Sequence, residues 1–282
     1  MRGPSRVGDL AVHLVLVLFT AVVLYPVMWV VRMALTPSQS FAMGLSPIPE
    51  QVSAENFVAV IGHTDLDGTW VFGNQLFNSL LVSCSTALVG IVLATTAAYS
   101  LSRFRYPGRR LTMTGLLVTQ MFPGTMMMIP LYILLDRLNL LDHQLGLILV
   151  YATSSVPFCT WSLKGYFDTI PRDLEEAAIV DGASRLTVFF RIILPLARPA
   201  IAVTGLFAFM TAWNEFILAA KFMNQEVSYT LPVVLQQYVG ARSTAWGLFA
   251  AGAIVVSIPV MALFFGLQRH IVAGLTAGAV KG

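Results

Sequence analysis

Long apolar stretches separated by short polar ones dominate this sequence. Six segments have the roughly 20 consecutive, largely apolar residues that a membrane-spanning helix needs. They are residues 10–31, 76–102, 111–135, 145–166, 200–220 and 245–267. The longest polar interval between them covers residues 36–75. The pattern predicts an all-α, polytopic membrane protein with six transmembrane helices.

Composition agrees with this pattern. The chain is 57% hydrophobic and 11% charged, and its mean hydropathy is +0.77, which excludes a soluble globule with an ordinary charged surface. The first apolar segment is longer than the roughly 7–15-residue core of a secretory signal and has no clear Ala-x-Ala cleavage site after it. We therefore expect it to stay in place as a membrane anchor.

Lysine and arginine fall mostly on one side of the predicted topology. With a cytoplasmic N-terminus, the outside segments hold only Arg32, Arg137, Lys221 and Arg242 of the chain's 17 basic residues. The positive-inside rule then predicts that both termini are cytoplasmic and that residues 36–75 and 223–242 lie outside. The basic residues are spread over several short loops, which does not indicate nucleic-acid binding. The cluster at 103–110 is interpreted as a topology anchor in contact with anionic lipid.

A polar and charged stretch, residues 175–195, lies on the predicted cytoplasmic side between two apolar segments. Asp173 and Glu176 have the spacing of a capping box, so a short helix is predicted to begin near Leu174. Gly182 is the residue type that a left-handed C-terminal cap prefers. The first part of this stretch is therefore predicted to be one short helix that ends at Gly182, which we call the glycine elbow.

A second short helix is predicted after that elbow. Ser184 is suited to cap its N-terminus, the helix would run through Phe189 to Ile193, and Pro195 would end it. In the first helix the small Ala177 and Ala178 allow another surface to approach, and the neighbouring glutamates offer charge to it. The alternative is a solvated connecting loop without a partner.

The spacing of particular residues within this stretch is similar to a known sequence motif. Glu176-Ala177-Ala178 is followed by three residues, Gly182, nine residues and then Ile192-x-Leu194-Pro195. This resembles the EAA loop of the membrane permeases of binding-protein-dependent ABC importers, and we call residues 175–195 the EAA-like loop. The resemblance implies a MetI-like permease fold in which the loop couples to an ATPase. The coupling residues it implies are Glu175, Glu176, Ala177, Ala178, Asp181, Gly182, Leu194 and Pro195.

Further segments narrow the resemblance to the carbohydrate-uptake branch of that family, the maltose/maltodextrin permeases. They cover nearly the whole chain and are residues 25–26, 103–108, 120–123, 164–167, 228–231, 236–238 and 274–282. The resemblance implies a multi-pass protein of the bacterial cytoplasmic (inner) membrane. It also implies a second permease subunit as heterodimer partner, two cytoplasmic ATPase subunits and an extracytoplasmic sugar-binding protein.

Two contact regions follow from the same resemblance. The loop at 223–242 would reach the binding protein through Tyr229, Gln236, Gln237 and Tyr238, although an ordinary loop is the alternative. The C-terminal tail would contact both ATPase subunits through Thr276, Gly278 and Lys281, whereas a glycine-rich tail by default frays. No sugar-binding residue is assigned, because in the maltose system the membrane sugar ligands belong to the partner permease.

Several positions interrupt the apolar segments. Proline at 123, 130, 157 and 259 predicts kinks or unwound turns. Asn214 and Glu215 are polar residues in the fifth segment, and an ionisable group in hydrocarbon costs about 2.5–3.5 kcal/mol on insertion scales. We therefore expect Asn214 and Glu215 to serve a pathway or gate; the alternative is that Glu215 lies near the outer surface in contact with water.

The chain has no sequence signature of catalysis. It contains no phosphate-binding G-x-x-x-x-G-K-[ST], no H-E-x-x-H and no G-x-S-x-G motif. We expect no cofactor or metal on this chain, with ATP and magnesium bound by the partner ATPase. One alternative function is import of another oligosaccharide or of a polyol phosphate. A second is an ion-coupled secondary carrier, but such carriers typically contain repeated segments and none is visible in this sequence.

The domain organisation predicted from these segments has three parts. Residues 1–75 would hold the cytoplasmic N-terminus, the first transmembrane helix and an extracytoplasmic segment. Residues 76–268 would form the permease domain, and residues 269–282 a cytoplasmic tail.

Overall fold

The computed structural model describes residues 6–41, 46–240 and 243–279, and within these ranges side chains from Asp9 to Gln268. The described residues form helices and two isolated β-bridges, without a β-strand. The α-helices are α1 (Arg6–Leu35), α2 (Glu55–Ile61), α3 (Phe72–Arg103), α4 (Arg109–Thr119), α5 (Met128–Arg137), α6 (Gln144–Thr169), α7 (Asp173–Val180), α8 (Arg185–Val188), α9 (Leu194–Leu196), α10 (Arg198–Trp213), α11 (Ala219–Phe222), α12 (Leu231–Gln237) and α13 (Trp246–Ala279). The predicted all-α class is confirmed.

Four of these helices are each long and apolar enough to cross a membrane. They are α1, α3, α6 and α13. The number of candidate spans among the described residues rises to six if each of two bent helix pairs forms one span. One bent pair is Arg109–Thr119 with Gly124–Arg137, at 92°, and the other is Arg185–Leu196 with Arg198–Trp213, at 77°. Each of these four helices overlaps a predicted segment, and the number of spans among the described residues reaches the predicted six only if both bent pairs cross the membrane as single spans.

The third predicted segment breaks at Pro123. Helix α4 ends at Thr119, Pro123 has an extended backbone with φ −58° and ψ 130°, and a 3-10 turn (Gly124–Met127) leads into α5. Proline has no N–H to continue the helix and disfavours helical geometry in the residue before it. The predicted segment 111–135 is therefore two helices separated by a break at Pro123, where a kink or unwound turn was predicted.

The prolines at 130, 157 and 259 do not interrupt their helices. Pro130 lies in the first turn of α5, where an N–H would have no helical partner in any case. Pro157 and Pro259 lie inside α6 and α13, which continue through them. No unwound turn forms at these positions, because a long helix tolerates one missing hydrogen bond where neighbouring groups satisfy the freed carbonyl; kinks there stay a prediction.

The fifth predicted segment, 200–220, is shorter than expected. Helix α10 ends at Trp213, with Asn214 as its C-terminal cap, and α11 begins only at Ala219. The Glu215 carboxylate accepts hydrogen bonds from the backbone N–H of Leu218 at 2.9 Å and of Ala219 at 3.2 Å. A carboxylate that caps a new helical turn in this way stops the preceding helix.

The chain divides into two compact units, Met1–Phe72 with Val234–Ile258, and Gly73–Val233 with Pro259–Gly282. In the first unit the buried Asn56 side chain donates to the carbonyls of Ala34 at 3.1 Å and Thr36 at 2.8 Å. Gln39 in turn donates to the Asn56 carbonyl oxygen at 2.7 Å. These polar contacts fix the C-terminal end of α1, whereas the apolar side chains along the rest of α1 are exposed, as lipid contact requires. The three-part domain division stays a prediction.

In the second unit, α3, α6 and α10 approach one another through small residues. A Cβ on Gly90 would lie 3.5 Å from the Ser155 hydroxyl oxygen and 3.7 Å from the Ala208 Cβ. A Cβ on Gly205 would lie 2.6 Å from the Ile91 Cδ1 atom, so that position has no room for a side chain unless Ile91 moves. Small residues at such crossings allow close helix packing within a membrane.

Two buried apolar clusters lie near opposite ends of α6. The first joins the N-terminal part of α6 to α11 and contains Leu147, Val150, Tyr151 and Phe222, among others. The second joins the C-terminal part of α6 to the EAA-like loop and contains Leu163, Phe167, Val188 and Ile193, among others. The second cluster gives the EAA-like loop a fixed base in the membrane domain.

Candidate coupling site

The EAA-like loop begins in helix α7, whose N-terminus differs from the predicted one. Arg172, rather than Asp173, precedes the helix, and its backbone is already helical at φ −68° and ψ −28°. Its carbonyl accepts from the N–H groups of Glu175 at 2.9 Å and Glu176 at 3.0 Å. Asp173 lies inside the first turn, one position too late to cap it, so the predicted capping box is wrong. Its charge still favours the positive end of the helix dipole.

The C-terminus of α7 has the geometry that the glycine predicted. Gly182 has φ +88°. Its N–H donates to the Ile179 carbonyl at 3.0 Å, and the Ala183 N–H donates to the Ala178 carbonyl at 2.9 Å. These two bonds define a Schellman motif, which reverses the chain after the helix. The predicted left-handed cap is confirmed.

The second half of the loop is a helical stretch of uneven pitch. The Ser184 side chain caps α8 by accepting from the Thr187 N–H at 3.2 Å, as predicted. A π-helical turn (Phe189–Ile193) follows, and α9 carries Pro195 in its first turn. The helical stretch ends at Leu196, one residue after Pro195, and the chain bends there by 77° into α10, so the predicted end near Pro195 is confirmed to within one residue.

The implied coupling residues divide between an inner and an outer side. Glu175 is buried, at 9% exposure, and Ala178 packs against the second apolar cluster. Leu194 and Pro195 are half-buried. The exposed members are Glu176, Ala177, Asp181 and Gly182. Charge offered to a partner therefore comes from Glu176 and Asp181, and Glu175 faces the protein interior.

The Glu175 carboxylate has a partner on each oxygen. The Tyr99 hydroxyl donates to its Oε2 atom at 3.0 Å, and the Arg103 Nε donates to its Oε1 atom. Arg103 also donates from Nη2 to the Ile170 carbonyl at 3.0 Å. These contacts have no signature in the sequence, since Tyr99 and Arg103 lie more than 70 residues before Glu175 in the chain.

Apolar side chains on the outer side of the loop were also missed. Val180 is 86% exposed, Leu186 71% and Phe190 60%. Leu186 and Phe190 are four residues apart, which is the spacing of one helix face. This spacing was the feature of the sequence that could have predicted them. Exposed apolar groups beside charged residues are the composition that a docking surface needs. We call Val180, Leu186 and Phe190, with Leu174 and Ile179, the apolar face of the loop.

The predicted binding-protein contacts lie in the loop at 223–242. Gln236 and Gln237 are exposed near the end of α12, and Tyr238 is half-buried. Tyr229 is half-buried and packs against the first apolar cluster. Its contact role, like that of the other three, stays a prediction.

Three polar residues of α3 hold the first part of this loop. Gln75 donates to the Glu226 carbonyl at 3.2 Å, and Asn78 donates to the Val227 carbonyl at 2.8 Å. The Ser79 hydroxyl accepts from the Leu231 N–H at 2.7 Å. These side chains share one helix face at spacings of three and four residues, a pattern that sequence analysis overlooked.

Asp142 holds the same loop from the α5–α6 connection. Its carboxylate accepts from the backbone and side-chain N–H groups of Asn224 and, at 3.2 Å, from the Gln225 N–H. Burial by itself raises the pKa of Asp142, but the Asn224 and Gln225 hydrogen bonds outweigh it and the pKa is lowered. The carboxylate thus stays charged, and the contact is lost only as the pH falls through that lowered pKa.

Asn214 and Glu215 lie at the break between α10 and α11. Asn214 is exposed, whereas Glu215 is half-buried and also accepts from the Tyr151 hydroxyl at 2.7 Å. With the N–H groups of Leu218 and Ala219, this satisfies both carboxylate oxygens. The contacts give Glu215 a structural role at the break, and its pathway or gate role stays a prediction.

The C-terminal region is helical as far as it is described. Thr276 and Gly278 lie in the last turns of α13, where side chains are not described, and Lys281 lies outside the described residues. No cluster of three or more metal-ligating side chains occurs within the described residues.

Comparison with known proteins identifies the family. Residues 88–277 match the binding-protein-dependent transport system inner membrane component family. The chain is 36% identical over 291 residues to the maltose/maltodextrin transport system permease protein MalG of Yersinia pestis, which covers 99% of this chain and 95% of that protein.

Two solved structures share the fold. A chain of a bacterial ABC transporter involved in the import of the acidic polysaccharide alginate has a TM-score of 0.75 at 22% identity, covering 95% of this chain and 98% of that one. A chain of the MetNI methionine ABC transporter has a TM-score of 0.61 at 15% identity, covering 74% and 99%. The MetI-like fold prediction is confirmed. The chain belongs to the inner-membrane components of binding-protein-dependent transport systems and is a permease subunit of an ABC importer.

Proposed function

We propose that this chain moves a sugar, maltose or a maltodextrin, across the bacterial inner membrane as one of two permease subunits. The observation that carries the substrate class is the near full-length likeness to a maltose/maltodextrin permease, at 36% identity over 99% of the chain. The fold by itself does not indicate the substrate class, because similar folds occur in transporters named for alginate and for methionine. The movement is alternating access between inward-open and outward-open states.

The energy for that movement comes from two cytoplasmic ATPase subunits, which bind ATP and magnesium. This chain has no phosphate-binding motif of its own. Docking occurs at the EAA-like loop, where the apolar face supplies buried contact area and Glu176 and Asp181 supply charge. The tail residues Thr276, Gly278 and Lys281 add contacts to the same ATPase pair.

Sugar reaches the permease pair from an extracytoplasmic binding protein. Gln236 and Gln237 are exposed on α12, and the loop that leads into α12 is tied to α3 by Gln75, Asn78 and Ser79. These bonds hold residues 226–231, and with them the proposed contact residue Tyr229, in one orientation, which lowers the ordering cost of docking there. Belonging to an ABC importer family removes the ion-coupled secondary carrier as an alternative.

The orientation of the chain gives the first prediction. Both termini and the EAA-like loop are expected on the cytoplasmic side because the basic residues concentrate there. In a background without Cys84 and Cys159, a cysteine replacing the exposed Ile179 should react with a membrane-impermeant thiol reagent only after cells are opened. A cysteine replacing the exposed Gln236 is the control and should react in intact cells. Labelling of position 179 in intact cells would contradict this orientation.

The substrate class gives the second prediction. In liposomes holding the complete assembly, the cognate binding protein loaded with maltose or maltotriose should raise ATP hydrolysis and drive sugar uptake. Trehalose, galacto-oligosaccharides and polyol phosphates should do neither, because a site built for one set of sugar hydroxyls leaves polar groups unpaired with another. Stimulation by one of these instead of maltose would replace the substrate and leave the importer role intact.

A further inference from the structure

We propose that Glu175 is a positioning residue that fastens helix α7 to the C-terminal end of α3, so that movement of the EAA-like loop is passed to that membrane-spanning helix. We call Tyr99, Arg103 and Glu175 the α3 anchor. The inference rests on the proposed function, because it assigns a route for the movement that a docked ATPase imposes.

The α3 anchor is largely shielded from solvent. The side chains of Arg103 and Glu175 are 7% and 11% exposed, and Tyr99 and Arg103 each occupy one oxygen of the carboxylate. A charge-assisted pair with both oxygens satisfied is geometrically specific. Such a buried pair adds little net stability compared with an apolar replacement, so a fixed orientation is the property it contributes here.

Neighbouring contacts extend the same attachment. Arg172, just before α7, donates from Nη2 to the Ser102 carbonyl at 3.2 Å. The Ser102 hydroxyl donates to the Asp168 Oδ1 atom at 2.6 Å, and the Arg185 guanidinium lies over the Phe104 ring at 5.2 Å. The last turn of α3 and the residues after it thus contact both sides of the Gly182 elbow.

Chain connectivity explains why α3 needs such an anchor. Helix α6 leads directly into the EAA-like loop and α10 leads directly out of it, so both follow the loop through the backbone. Helix α3 ends 70 residues before α7 begins and can follow the loop only through non-covalent contacts. Packing of the Tyr99 ring on Phe189, with centroids 4.8 Å apart, supports the anchor but imposes less direction than a paired carboxylate.

The two adjacent glutamates therefore have different roles. Glu176 is exposed on the docking side, whereas Glu175 faces α3. Loss of Glu176 should weaken ATPase binding, and loss of Glu175 should leave binding intact while the force is no longer transmitted. The two effects are distinguishable by comparing ATPase association with the amount of sugar moved per ATP.

The test uses the complete assembly in liposomes. Glu175→Gln should retain the ATPase subunits on purification and continue to hydrolyse ATP, while sugar uptake per ATP falls by at least about ten-fold, the loss expected from one charge-assisted hydrogen bond. The double exchange Arg103→Glu with Glu175→Arg should recover part of that ratio. Asp173→Asn is the matched control, since it neutralises an exposed acid in the same helical turn, and its ratio should be unchanged.

Three results would overturn the inference. They are an unchanged ratio in Glu175→Gln, loss of ATPase association by a Glu175→Gln chain that inserts normally in the membrane, and an equal fall in Asp173→Asn. If the Glu175→Gln chain does not insert in the membrane, Tyr99→Phe decides, since it removes one hydroxyl: a lowered ratio supports the α3 anchor and an unchanged one overturns it. Failure of the unaltered assembly to import sugar would instead count against the proposed function.

Discussion

Replacing Gly182 by valine is expected to abolish sugar uptake while the membrane domain stays folded. Gly182 has φ +88°, and no atom lies within 4 Å of the position that a Cβ would occupy. The penalty is therefore local backbone strain, about 1–3 kcal/mol for a branched residue in the left-handed region, without a clash against more distant residues. Relief of that strain breaks the Schellman motif and turns the apolar face away from its docking orientation. Uptake and ATPase association in the complete assembly measure the effect.

A graded series separates backbone strain from loss of glycine as such. Asparagine tolerates the left-handed region and should retain most uptake at position 182, alanine less and valine least. Gly165→Val is the matched control, because Gly165 also has open space around it but lies within α6 at an ordinary helical φ. Normal uptake by Gly182→Val, or an equal loss in Gly165→Val, would contradict the proposed role of the elbow.

The chain on its own is expected to move no sugar and hydrolyse no ATP. A permease subunit has no driven route for substrate until partners switch it between states, and in the proposed function the substrate path lies between two permease chains. Liposomes holding only this chain should show no saturable uptake under a proton or sodium gradient. Liposomes with the second permease, two ATPase subunits and loaded binding protein should show uptake at least about 100-fold above that background, since binding protein and ATP both bias the switch.

A non-hydrolysable ATP analogue is the control for the full assembly and should reduce uptake to the level of the isolated chain. Saturable, gradient-driven uptake by the isolated chain would contradict the importer assignment. In that case Glu215, the carboxylate at the break between α10 and α11, would become the ion-coupling candidate to substitute first.

Features that depend on residues close together in sequence were predicted well. The Gly182 cap and the Ser184 cap each involve atoms within one helical turn, and both formed as expected. The membrane segments were predicted because twenty apolar residues must be buried in lipid or protein whatever their neighbours are. The break at Pro123 follows from proline's missing N–H, which is also a local property.

The exact start of a helix and its local pitch were predicted less well, because neighbouring residues offer more than one possible cap or turn. Asp173 was chosen as the helix cap, but the helix begins one residue earlier than that choice requires. The helix expected from Ser184 to Pro195 contains a π-helical turn at Phe189–Ile193 instead of a regular α-helix. In each case several local solutions have similar free energies, and packing on the second apolar cluster selects one of them.

The sequence by itself determined the membrane class, the number of apolar segments, the glycine elbow and the family of this permease. These follow from composition, local backbone preference and a spaced motif. Only the tertiary structure decided that Glu175 faces inward while Glu176 faces outward, and that Glu215 caps a helix at a break in the fifth segment. The reason is that each carboxylate takes its direction from a tyrosine more than 60 residues earlier in the chain, Tyr99 for Glu175 and Tyr151 for Glu215, and no local pattern encodes that pairing.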